Sequence, residues 1–101
     1  MTADSSRLVG PIVRGFDPDV VEALHAAIEK DNPDQTLVVE DRNGYVRINA
    51  PRFLRVTRTS LEEAAGRSVP LATLEPALAG FAGRMRYVSD DELVWYLDRK
   101  D

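Results

Sequence analysis

Thr36-Leu37-Val38-Val39-Glu40-Asp41-Arg42-Asn43-Gly44-Tyr45-Val46-Arg47-Ile48-Asn49-Ala50 is the stretch that decides the fold. Its first arm, Thr36 to Asp41, is rich in β-branched residues, which suit a pleated, half-buried surface. Asn43-Gly44 is a hairpin turn signal, because both residues tolerate positive φ. The second arm, Tyr45 to Ala50, alternates strictly and sets Val46 and Ile48 on one face. Pro51-Arg52 turns the chain again, and Phe53-Leu54-Arg55-Val56-Thr57-Arg58 resumes the alternation. A meander of three antiparallel strands is predicted.

Upstream, Leu8 to Arg14 has strand composition but contains Pro11, which cannot donate to a ladder, so an edge strand is expected. Asp17 is an N-cap candidate with Pro18 at the first helical position, and Val20, Val21, Leu24, Ala27 and Ile28 follow at helical spacing. Asn32-Pro33 ends that helix, since Pro33 disfavours helical geometry before it. Downstream, Thr59 or Ser60 caps a short helix, with Glu62 or Glu63 as the reciprocal half of a capping box and Gly66 as the stop. Pro70 to Gly83 reads as a further helix. Its stripe is Leu71, Leu74, Leu78 and Phe81 or Ala82, and regular helix is expected from Thr73 so that Pro76 falls in the first turn. Arg84 to Val88 and Glu92 to Asp98 form a last hairpin, with Leu93, Trp95 and Leu97 sharing a face. The expected class is α+β: mainly antiparallel sheets and three helices, in the order βαβββ and then ααββ. Residues 1–7 are polar and small and are expected to be a flexible tail; residues 8–101 form one domain.

Composition narrows the function. With 101 residues, 44% hydrophobic and 30% charged, the chain is an ordinary globular one. A formal net charge of −4 argues against a nucleic-acid partner, which would need a cationic surface. Arg47, Arg52, Arg55 and Arg58 lie close together in sequence, but read best as the solvated face of a hairpin. No apolar run is long enough to cross a membrane, and the N-terminus lacks a secretory apolar stretch. There is no cysteine, which fits a reducing cytoplasm and removes thiolate chemistry.

Nothing in the sequence assembles a catalytic or cofactor site. His25 stands alone in the first helix. Asp17, Asp19, Asp31 and Asp34 lie at helix ends, and Glu62 and Glu63 form no Glu-x-x-His pair of the kind helical diiron sites use. No glycine-rich turn joins a strand to a helix. A binding or regulatory protein without metal or cofactor is the expectation. Leu78-Ala79-Gly80-Phe81-Ala82-Gly83-Arg84 stands out. Small residues allow close backbone approach and Phe81 could anchor a contact, although Gly83 as a C-cap and Phe81 as core are equally consistent.

Several ordered segments together resemble the effector proteins of bacterial toluene and phenol monooxygenases. They are Val9-Gly10-Pro11-Ile12, Asp31-Asn32-Pro33, Val39-Glu40-Asp41-Arg42 with Gly44-Tyr45, and Leu61-Glu62-Glu63 with Gly66-Arg67. Leu74-Glu75, Leu78-Ala79, Phe81-Ala82-Gly83-Arg84 and Val94-Trp95-Tyr96-Leu97-Asp98 complete the set. The resemblance runs from about residue 8 to the end, and the Glu-Asp-Arg-x-Gly-Tyr run is similar to component B of soluble methane monooxygenase. It implies a non-catalytic, cofactor-free protein, monomeric when free. Such a protein docks on the diiron-bearing hydroxylase component of an aromatic-hydrocarbon monooxygenase and tunes substrate access and coupling of electron use. It also implies that Ala79, Gly80, Phe81, Gly83 and Arg84, on the third helix and the turn after it, meet the hydroxylase. Asn32 and Arg67 would join or brace that contact. Trp95 and Tyr45 are expected to pack in the sheet. Pro51 and Pro76 depart from the family pattern. The alternative reading is a small-molecule-sensing or generic protein-interaction α+β domain.

Overall fold

The fold is a pair of antiparallel sheets with two α-helices laid against one of them; the computed structural model describes residues 7–15 and 18–97. The order is β1 (Leu8–Arg14), α1 (Pro18–Asp31), β2 (Val38–Arg42), β3 (Tyr45–Pro51), β4 (Phe53–Thr57) and α2 (Arg58–Ala65). A 3-10 helix (Leu71–Ala77) follows, then β5 (Leu78–Ala82), β6 (Arg84–Ser89) and β7 (Glu92–Tyr96). One sheet runs β2-β3-β1-β5 and the other β4-β7-β6. The α+β class is as expected.

The Asn43-Gly44 hairpin forms as read, with Arg42 opposite Tyr45 and Val38 opposite Asn49. Asn43 has φ 50° and Gly44 φ 89°. The alternation in β3 buries Val46, Ile48 and Ala50. The meander does not continue into a third strand. At Arg52 the backbone adopts φ 73° and the chain leaves the first sheet, so β4 pairs with β7 in the second. This corner is held by Arg52 N–H donating to Arg7 O (2.8 Å) and by Gln35 Nε2 donating to Phe53 O (2.7 Å). Arg7, expected in the tail, is therefore tied to the fold; the rest of the expected tail, like Asp17 and Asp98, lies outside the described residues.

The edge placement of β1 is corrected: it lies between β3 and β5. Its ladder to β3 steps from Val9↔Ala50 to Ile12↔Arg47, so Gly10 and Pro11 fall in a gap where a missing N–H disrupts least. Gly10 has φ 141°, and a Cβ there would lie 2.2 Å from Ile48 O, so only glycine fits. The third helix is corrected as well. Leu71 and Leu74, three apart and both buried, suit a 3-10 turn, in which i and i+3 eclipse. Pro76 lies inside that short helix, and the chain from Leu78 onward pairs with β1 instead of staying helical. The apolar stripe was compatible with either period over so short a run. Helix α2 starts earlier than read: Thr57, not Thr59 or Ser60, caps it by accepting from Ser60 N, and Gly66 ends it at φ 71°. Glu62 forms no capping box and instead receives Arg58 and Val69 N–H.

The core lies between the sheets and under the helices. Val9, Val13 and Ile48 meet Leu54, Val56, Leu93 and Trp95, while Leu24, Ile28 and Leu61 close the helical side. Helix α1 packs on α2 and β4. Trp95 is fully buried, as expected; Tyr45 is not, and stands about half exposed on the outer face of β3.

Candidate interaction site

Two edge strands in succession make up the unusual part of this surface. β5 is one outer strand of the first sheet and β6 one of the second, and Gly83 alone joins them. Gly83 has φ 81°, and a Cβ would lie 2.6 Å from Val9 Cγ1 and 2.7 Å from Tyr96 O. It is the corner between the sheets, which is a structural duty. Gly80 is different. It lies opposite Ile12 in the ladder, and nothing stands within 4 Å of where its Cβ would be. Its backbone is bare and approachable.

Phe81 is 44% exposed beside it. Glu75, Leu78, Ala79, Gly80, Phe81 and Met85 line an open groove of about 280 Å³. Glu75 is held by Tyr87, whose hydroxyl donates to Glu75 Oε2 at 2.6 Å and so ties β6 to the 3-10 helix. Partial burial and the adjoining Glu75 carboxylate push the Tyr87 hydroxyl up to about 12. Arg86 lies over the Tyr96 ring, 5.9 Å from its centre.

Of the residues singled out in the sequence, Ala79, Gly80, Phe81, Gly83 and Arg84 fall on this continuous edge, though on strands and not on a helix. Arg84 pairs across to Tyr96 in the β6–β7 ladder. Asn32 is elsewhere and buried. Its Nδ2 donates to Ile28 O and Arg55 O, both at 2.7 Å, and its Oδ1 accepts from Arg55 N at 3.1 Å. It braces the end of α1 against β4, at the opposite edge of the second sheet from β6. Arg67 is exposed beyond α2, beside a groove it shares with Asp19 and Glu22 of α1. The cluster Arg47, Arg52, Arg55 and Arg58 is dispersed: Arg55 pairs with Glu92 at 2.8 Å and Arg58 with Glu62 at 2.9 Å.

Sequence reasoning missed the outer face of the first sheet, where Ile12, Arg14, Arg42, Tyr45, Arg47 and Ala79 line a second groove. The outward positions Tyr45 and Arg47 were legible from alternation; their union with Arg14 needed the β1–β3 pairing. The Glu75–Tyr87 tie had no sequence signal. Among the described residues no three His, Asp or Glu side chains converge as a metal site, and no helix is long and apolar enough to cross a membrane.

An open strand edge with an aromatic beside a bare glycine, and a sheet face next to it, is geometry onto which a partner chain could add. Residues 7–96 match the MmoB/DmpM family, and the chain belongs to it. It is 44% identical over 89 residues to the effector subunit of the alkene monooxygenase system of Xanthobacter autotrophicus (strain ATCC BAA-1158 / Py2), covering 88% of this chain and 85% of that protein. A chain of a phenol hydroxylase–regulatory protein complex has a TM-score of 0.73 at 24% identity, with 90% and 99% of the two chains covered. A second structure of such a complex contains a chain with a TM-score of 0.66 at 26% identity, with 88% and 98% covered. The soluble methane monooxygenase regulatory protein B shares the fold, with a TM-score of 0.69 at 18% identity over 97% of this chain and 70% of that one.

Proposed function

We propose that this chain is the effector subunit of a multicomponent monooxygenase, a regulatory and not a catalytic component, and that it docks on the hydroxylase through the β5 edge. Membership of the MmoB/DmpM family carries the role. The exposed Ala79-Gly80-Phe81 edge supports the place.

A free strand edge offers unpaired backbone donors and acceptors, and side-chain pockets beside it give specificity. Gly80 lets a partner backbone approach. Phe81 supplies a compact aromatic anchor, and covering its exposed part contributes on the order of 1 kcal/mol. Gly83 holds this surface in shape by turning the chain from β5 into β6, while Asn32 braces α1 against β4 away from it. Docking acts on the hydroxylase by preferring one of its conformations. A preference of about 1–3 kcal/mol corresponds to a shift of roughly 5- to 150-fold in the equilibrium between them. The effector's own residues carry no chemistry. The diiron centre belongs to the hydroxylase, and so does the choice of substrate, whether a phenol- or toluene-like aromatic or a short alkene.

The free protein is a cytoplasmic monomer in this reading. The test is steady-state oxidation by the cognate hydroxylase and its redox partners, titrated with this chain, using an aromatic and an alkene substrate in parallel. A saturable rise in product per NADH consumed is expected. A flat response to both substrates with folded protein would overturn the role.

A further inference from the structure

The groove on the outer face of the first sheet carries three arginines on a chain whose formal net charge is −4. They stand together because of register. Tyr45 is flanked by Arg42 on β2 and by Arg14 on β1, and in the next row Arg47 lies between Glu40 and Ile12. Gly80 of β5 pairs with that same Ile12, and Ala79 lines the groove, so it continues the β5 edge without a break. The only carboxylate in these two rows is Glu40, which meets Arg42 at 3.2 Å in a largely exposed, hence weak and exchangeable, pair. Among the described residues no carboxylate pairs with Arg14 or Arg47. The local charge is reversed relative to the whole chain.

We infer that this groove receives a carboxylate-rich surface segment of the hydroxylase, and that its arginines steer the effector onto its partner. The inference rests on the proposed docking function and deepens it. Ala79 lines both grooves and Gly80 pairs with Ile12, so a partner that covers the β5 edge would lie beside Arg14 and Arg47. Charge complementarity then fixes the chemistry: guanidinium groups fork onto carboxylates, and Tyr45 offers an aromatic face between them. The groove, about 360 Å³, is open to solvent and does not enclose a small ligand.

Charges at the rim of an interface act mainly on association and its salt dependence. The experiment is the rate of association of the full chain with its hydroxylase at low and at high salt. It compares wild type, the Arg14→Gln/Arg47→Gln double variant, and Arg52→Gln as a control. Arg52 is exposed at the far end of β3, roughly 16 Å along the strand from Arg47. The double variant is expected to associate roughly tenfold or more slowly at low salt, with the difference collapsing at high salt, while Arg52→Gln behaves as wild type. Both groove positions are on the solvent face, so the fold is retained, as circular dichroism would confirm. Equal rates for wild type and double variant, or an equal loss in Arg52→Gln, would overturn the groove assignment and leave the docking function standing. Failure of wild type to bind its hydroxylase at all would overturn both.

Discussion

Two glycines three residues apart should respond to substitution in opposite ways. At Gly83 a methyl group must be accommodated at φ 81°, with Val9 Cγ1 at 2.6 Å and the Tyr96 carbonyl at 2.7 Å from its place. Left-handed backbone costs an L-residue about 1–2 kcal/mol, and relieving overlap with packed neighbours costs about 1–3 kcal/mol more. Gly83→Ala should therefore lose about 2–5 kcal/mol. At about 4–8 °C per kcal/mol for a domain of this size, Tm falls by at least about 8 °C. At Gly80 the corresponding space is empty. Gly80→Leu should change stability by no more than about 0.5 kcal/mol, as exposed substitutions do. A leucine projecting into a tightly approached backbone costs the complex about 1–3 kcal/mol, or roughly 5- to 150-fold in affinity. Thermal unfolding of the free protein and titration of the folded variants against the hydroxylase separate the two effects. Full affinity in Gly80→Leu would refute close backbone approach at β5. A cooperative melt unchanged in Gly83→Ala would refute the corner assignment.

Other outcomes follow from the same contacts. Asn32→Ala orphans Arg55 N–H and carbonyl in a part-buried site and should cost about 2–4 kcal/mol by chemical denaturation, without changing the affinity of the folded fraction. The Glu62 carboxyl is held below the usual carboxylate range, first by Arg58 and then by Val69 N–H. Its contribution is thus present above the ordinary carboxylate pKa and lost as pH falls through the depressed one; Glu62→Gln should flatten the acid limb of a Tm–pH profile. Tyr87, raised to about 12, works in the other direction. Its neutral form is favoured in the fold, so its contribution is full below the ordinary tyrosine value of 10.0 and declines as pH rises through about 12. Tyr87→Phe should remove that alkaline decline and, by releasing the 3-10 helix from β6, lower stimulation of the hydroxylase at neutral pH.

How much of this was legible in the sequence depended on whether the signal was local. The Asn43-Gly44 hairpin, the body of α1 and the β6–β7 hairpin are written in turn chemistry and periodicity, and they form where expected. The β5 strand was misread as helix because Leu78, Phe81 and the alanines satisfy either period, and the deciding factor, pairing with β1, lies some seventy residues away in sequence. The same distance hid the interior position of β1: Pro11 argues for an edge only if no ladder gap receives it. Ala79, Gly80 and Phe81 were singled out as small side chains beside an aromatic, and they lie together on a strand at a sheet edge, not on a helix. Asn32 looked like a loop residue and proved to be a buried brace, since nothing local announces its bonds to Arg55.

The proposed docking surface, built from two consecutive edge strands, raises a physical difficulty, because open edges invite pairing with other copies of the same chain. Several features here blunt that tendency while leaving room for a specific partner. β5 is only five residues long, and its register with β1 shifts between Ile12 and Val13; β6 shifts against β7 between Tyr87 and Ser89. Gly83 turns the edge from one sheet to the other, so β5 and β6 do not form one long flat template. Arg86 places a cation on the β6 half. The adjacent groove adds Arg14 and Arg47, which repel a like surface and attract an acidic one. Edge irregularity and local positive charge thus act in the same direction, against self-association and toward a partner of opposite charge, and they are the physical ground for proposing that the free effector is monomeric.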